Sequence, residues 1–177
     1  PSGAAEYSKF DRSQFRITAI GSADIGQHAV SIGVEYEQRT DRFFGLAPVG
    51  LWTRARQLTN FHIQELDRSD STITYPIGTL PLITYQRLVG DDQQFFDRNL
   101  RVALGLDPEG NDFIDVDALD PSVFTLDMFS AEELINDGNA LASFYGYDHV
   151  GNKLTSKPTF DDYFTQQTSD GQYTRAQ

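Results

Sequence analysis

From Gln14 to Asp24 the chain alternates: Phe15, Ile17, Ala19, Gly21 and Ala23 fall on one side of an extended strand, and Arg16, Thr18, Ile20, Ser22 and Asp24 on the other. His28 to Gln38 repeats the pattern, with Val30, Ile32, Val34 and Tyr36 opposite Ser31, Gly33, Glu35 and Glu37. Only Ile25, Gly26 and Gln27 separate the two runs, a spacing suited to a tight antiparallel hairpin. One dry face and one wet face are predicted over residues 14–38. A soluble sheet with one buried face is the commoner source of such a pattern, and a membrane barrel strand writes the same one.

Beyond Gln38 the period of two is lost. Leu51 to Leu66 spaces Leu51, Ala55, Leu58 and His62 three or four apart, predicting an amphipathic helix near 51–66. A second helix is predicted near 92–104, with Asp91 as N-cap, Phe96, Leu100 and Leu104 on one face and Gly105 as the stop. A third is predicted near 131–137, where Ser130 and Glu133 make a capping box, Phe129 and Leu134 a hydrophobic staple, and Asp137-Gly138 the end. The prolines of Tyr75–Pro81 and Thr155–Thr159 predict loops. The expected organisation is a leading loop over 1–13, the hairpin over 14–38, and a long irregular region with short helices over 39–177. The expected fold class is mainly β with short α-helices.

Composition narrows the function classes. The formal charge of −12 repels phosphate backbones, so no nucleic-acid partner is expected. Thirteen Phe and eight Tyr are too many for a disordered acidic tail. The absence of cysteine removes disulfides, thiolate metal sites and cysteine nucleophiles. Pro1 is not followed by an apolar run that would read as a signal peptide, so a processed or excised chain is expected. The longest apolar stretch, Phe43 to Trp52, is about half the length of a spanning helix, a limit that does not apply to barrel strands.

Catalytic patterns are missing: His62-Ile63-Gln64-Glu65 lacks a second histidine, and neither a phosphate-cradling Gly-Lys-Ser/Thr loop nor a Gly-x-Ser-x-Gly elbow occurs. An enzyme is not expected. Asp107, Glu109, Asn111 and Asp115 take relative positions 1, 3, 5 and 9 of a calcium-type loop, with Asp117 close behind. Asp112 stands where such a loop has its glycine and Ala118 where it has its bidentate Glu, so two readings stay open: an Asx-rich acidic turn, or an irregular calcium site. Along an extended 113–117, Asp115 and Asp117 would share one side and Ile114 and Val116 the other. No other cofactor is expected. Tyr145 to Asn152 (YGYDHVGN) resembles one unit of the tyrosine-aspartate repeats of Rhs-type shell proteins, but a single copy reads as an aromatic turn.

A longer resemblance runs through most of the chain in order. Gly26–Arg39 (GQHAVSIGVEYEQR), Gly50–Asn60 (GLWTRARQLTN), Phe113–Asp117 (FIDVD), Asp127–Leu134 (DMFSAEEL) and Tyr145–Asp148 (YGYD) resemble the barrel region of TonB-dependent outer-membrane receptors of the Bacteroidetes type, which carry a carboxypeptidase-regulatory-like domain and a plug before the barrel. The resemblance implies a partial antiparallel transmembrane β-barrel, with residues 14–38 as two strands joined by a periplasmic turn, and residues from about Arg39 onward as an extracellular excursion. It implies a part in transport at the cell outer membrane, with membrane lipid, the rest of the barrel and plug, and a surface lipoprotein as partners. It carries no catalytic residue. A TonB box, a plug and most of the roughly twenty-two strands of such a transporter are missing, so a fragment is implied. The competing expectations are a soluble acidic binding module, calcium-dependent in one form, and a cell-surface adhesin segment.

Overall fold

The computed structural model describes residues 6–135, 141–161, 165–167 and 173–175. The architecture is mainly β, with antiparallel sheets and short helices. Strands β1 (Tyr7–Ile25) and β2 (His28–Leu46), 19 residues each, form one long hairpin in register from Tyr7↔Leu46 to Ile25↔His28. Gly26, with φ 64°, is the one turn residue with positive φ, the sign pattern of a type II′ turn matched to strand twist. The strands outrun the expected 14–38 at the open end, and residues 7–13 are strand rather than leading loop. Alternation fails there because both faces are partly covered: Phe44 is buried against Tyr147, ring centroids 6.1 Å apart, while its neighbour Phe43 is half-buried.

A small core sits at that open end. β5 (Ala142–Tyr145) adds to the edge of β2 over Phe43–Leu46. Helices α1 (Pro48–Leu58), α2 (Phe95–Ala103) and α3 (Ala131–Ile135) pack beside it, burying Ala55, Leu58, Phe96, Leu100, Phe129 and Leu134. Phe96 stacks on Phe129 at 4.2 Å, and Trp52 meets Phe124 edge-on at 5.0 Å. Two further hairpins pair β3 (Leu66–Thr74) with β4 (Leu82–Arg87), and β6 (Thr165–Gln167) with β7 (Tyr173–Arg175).

The helix expected over 51–66 is displaced. It begins at Pro48, whose fixed φ and missing N–H suit a first helical turn, and stops at Leu58. Thr59 turns extended and Asn60 takes a left-handed φ of 62°. Asn60 is held there by a two-way amide clamp on Ile114: Asn60 Nδ2 donates to the Ile114 carbonyl at 2.7 Å and the Ile114 N–H to Asn60 Oδ1 at 2.9 Å. His62 is still buried, in a short 3₁₀ turn, and Leu66 opens a strand that periodicity missed.

α2 starts at Phe95 rather than near Asp92, and Asp91 does not cap it. Its end is as expected: Gly105, φ 70°, closes a Schellman motif in which the N–H groups of Gly105 and Leu106 donate to the carbonyls of Val102 and Arg101. The capping box forms, with the Glu133 N–H donating to Ser130 Oγ at 3.1 Å and the Ser130 N–H to Glu133 Oε2 at 2.8 Å. The expected end of that helix, 136–137, lies outside the described residues. Tyr145 to Asn152 is the expected aromatic turn, with Asp148 accepting from the N–H groups of Val150 and Asn152 and Tyr147 wholly buried.

Candidate functional site

The register of the long hairpin assembles two chemically opposed surfaces. Pairing Ile17↔Tyr36, Ala19↔Val34, Gly21↔Ile32 and Ala23↔Val30 puts the apolar residues of both alternating runs, apart from Ile20 and Ala29, on one face. That face lacks cover: Ile32 and Val34 are 67% and 64% exposed, and Phe15, Ile17 and Tyr36 are each more than half exposed. Phe15 to Ala23 spans eight steps, about 27 Å at the usual strand rise. The aromatic Phe15 and Tyr36 both lie at the end nearer the core.

The opposite face is a polar ladder. Arg12 Nε meets Asp41 at 2.8 Å, Gln14 Nε2 donates to Glu37 at 2.7 Å, and Arg16 Nη2 meets Glu35 at 2.6 Å, each a cross-strand or diagonal neighbour. These pairs are exposed, where solvent screens them and they contribute little in water. Ile20 lies on this face opposite Gly33, a large apolar side chain among these polar groups. A two-stranded ribbon is marginal by itself, so strands of this length, with no strand paired to either outer edge along residues 14–38 among the described residues, call for further strands or another covering surface.

The five residues expected to bind calcium are placed as follows. Asp107 Oδ1 accepts from the Glu109 N–H, and Asp115 Oδ1 from the Asp117 N–H, two Asx turns. Glu109 pairs with Arg98 at 3.0 Å, and Asn111 is exposed. Asp117 accepts from Arg56 Nε at 2.8 Å and from Trp52 Nε1 at 3.0 Å, contacts that hold its carboxyl below the ordinary value, Arg56 the more. The expected sidedness of 113–117 is present, Ile114 and Val116 buried with Asp115 and Asp117 exposed, although Val116–Ala118 is a 3₁₀ turn rather than a strand. Among the described residues no three acidic or histidine side chains stand together in an arrangement that could hold a metal ion.

Sequence reasoning missed a buried polar cluster that fixes this segment to the helices. Asp97, fully buried, accepts from the Asn60 N–H, Arg101 Nε and Gln93 Nε2, each at 2.8 Å, and lies 3.4 Å from His62 Nδ1. His62 Nε2 donates to the Gly110 carbonyl at 3.2 Å, since a carbonyl only accepts. The available signal was the four-residue spacing of Asp97 and Arg101 on one helix. A cleft of about 710 Å³ opens between Thr40–Arg42 of β2, Phe144–Gly146 and Leu154–Pro158, beside the point where β5 leaves the β2 edge. No family model, curated protein or solved structure matches the chain.

Proposed function

We propose that the chain is part of a TonB-dependent outer-membrane transporter or receptor, with residues 14–38 as two transmembrane barrel strands and the region from Arg39 onward at the extracellular face. One observation carries the reading: an uncovered apolar face about 27 Å long along the strands, hence about 20 Å tall at the usual barrel tilt and near the roughly 25 Å band of outer-membrane barrels, carries Phe15 and Tyr36 at the end nearer the core and backs onto a charged ladder. In this reading Phe15, Ile17, Ala19, Val30, Ile32, Val34 and Tyr36 face lipid. Arg16, Thr18, Ser31, Glu35 and Glu37 face the lumen, where water and the plug would meet them. The two-residue turn at Gly26-Gln27 and the large excursion at the other end fit the short periplasmic turns and long extracellular loops of such barrels. The rest of the barrel would pair with both hairpin edges, and a surface lipoprotein is a partner for the excursion.

The test places Arg at Ile32 and, separately, at its neighbour Ser31, and measures unfolding of the membrane-inserted protein in lipid bilayers. Near the bilayer midplane Ile32→Arg costs about 2–4 kcal/mol, whereas Ser31→Arg, in the lumen, costs far less. Equal penalties at the two positions refute the barrel assignment and favour a soluble module.

A further inference from the structure

The three lysines of this acidic chain, Lys9, Lys153 and Lys157, collect at the core end of the long hairpin, beyond its apolar face. Strand alternation continues that face from Phe15 and Tyr36 through Ser13, Gln38 and Thr40 to Asp11, Arg42 and Lys9, with Asp11 opposite Arg42 in register. Lys153 Nζ meets Asp11 at 2.5 Å, and Lys9 Nζ lies over the Tyr147 ring, 4.8 Å from its centre. Arg42 Nη1 is 3.9 Å from Asp11, beyond hydrogen-bonding distance, which leaves its donors for a ligand. Lys153 foremost, then Arg42 and Lys9, hold the Asp11 carboxyl below its ordinary value, so one carboxylate serves three cations.

Arg42 also lines the cleft of about 710 Å³, together with Lys157, Thr155 and Ser156. Lys157 is exposed and has no ion-pair partner among the described residues. Asp41, the carboxylate in the same lining, is taken up by Arg12 and Arg39 at 2.8 and 2.9 Å. In a chain of charge −12 this rim therefore carries a local excess of cations, with hydroxyl donors beside them.

We infer that the cleft between Arg42 and Lys157 holds the phosphate of an outer-leaflet lipid headgroup, whose acyl chains lie on the apolar face below. The inference rests on the barrel reading and adds to it the class of lipid that the face selects. Guanidinium, ammonium and hydroxyl donors together are the chemistry of phosphate recognition. Depth favours a lipid over a free anion. Arg42 stands four strand steps beyond the level of Phe15, about 13 Å along the strand and about 10 Å in height at the usual barrel tilt. A headgroup layer is about 5–8 Å thick, so the guanidinium reaches it within the length of its own side chain.

The test inserts the full chain into phosphatidylcholine bilayers and compares, by electron paramagnetic resonance, the motionally restricted fractions of spin-labelled phosphatidic acid and spin-labelled phosphatidylcholine. The expected result is a preference for phosphatidic acid of at least about threefold. It falls in Arg42→Gln and in Lys157→Gln, and it is kept in Arg16→Gln, which removes the same charge from the opposite face. No preference, or one that falls equally in Arg16→Gln and so reports net charge alone, overturns the inference. So does a preference abolished by millimolar inorganic phosphate at constant ionic strength, since the cleft then takes a free anion. In this cysteine-free chain Ile32→Cys separates the two readings. A thiol protected from a water-soluble maleimide without any lipid preference leaves the barrel face standing and overturns the headgroup site, whereas a thiol that labels freely overturns both.

Discussion

Glu133 is placed to stabilise two helices at once, and removing it measures how far the core depends on one carboxylate. Its Oε2 accepts from the Ser130 N–H at 2.8 Å, closing the cap of α3, and its Oε1 accepts from the Phe96 N–H at 3.1 Å, at the start of α2, where no residue of α2 itself supplies a side-chain cap. Ser130 and Phe96 are buried, so Glu133→Ala leaves two donors without water or partner. Each such donor costs about 1–3 kcal/mol, and some of that total is returned because the carboxylate no longer has to be held out of water, leaving a loss of about 3 kcal/mol. Glu133→Gln keeps one acceptor and turns an NH₂ group toward the other N–H, for about 1–2 kcal/mol. Ser130→Ala loses only the reciprocal bond, about 1 kcal/mol. Urea unfolding with an unchanged m-value gives the totals. Native-state hydrogen exchange locates them: the Phe96 amide loses about two decades of protection in Glu133→Ala.

The same group predicts a pH dependence. Burial raises the Glu133 carboxyl above its ordinary value of 4.5. Folding then favours the protonated form, so this group's contribution is fully present below the unfolded-state value and is lost as pH rises through the raised folded-state value. The wild-type stability curve, less that of Glu133→Gln, therefore slopes downward from about pH 4.5. A loss under 1 kcal/mol in Glu133→Ala, or a Phe96 amide that keeps its protection, refutes the two-helix role.

Two further outcomes are expected. Asp97→Ala strips the buried Arg101 of its counter-charge and leaves the Asn60 N–H unpaired, so urea unfolding shows a loss of about 3–5 kcal/mol; a loss under 1 kcal/mol shows that the cluster does not hold the fold. For calcium to use residues 107–117 it must draw Glu109 from Arg98 and Asp117 from Arg56, so calorimetric titration of the chelator-treated chain gives heat that falls in Asp115→Ala if the segment binds the ion. No heat, or heat unaffected by that substitution, leaves these side chains as turn and ion-pair groups.

What the sequence determined is whatever one element decides locally. Period-two alternation set the hairpin and its two faces because strand geometry sends neighbours to opposite sides whatever lies beyond. The Ser130–Glu133 box and the Gly105 stop were legible because caps join residues only a few positions apart. Residues joined across long separations were decided by the tertiary structure. Asn60 ends α1 because an amide 54 positions from Ile114 finds that backbone, and Gln94 begins α2 under a carboxylate from another helix. The Asp107–Asp117 oxygens share a short segment, yet Glu109 is turned toward Arg98 and Asp117 toward Arg56 and Trp52, each supplied by a helix. The 66–87 hairpin was hidden by its own tip: Pro76 and Pro81 read as loop, and the shift between Asp67 and Ser71 breaks the alternation that would have marked β3. Periodicity records which side of an element is apolar; which surface covers that side is set by neighbours that the local pattern does not contain.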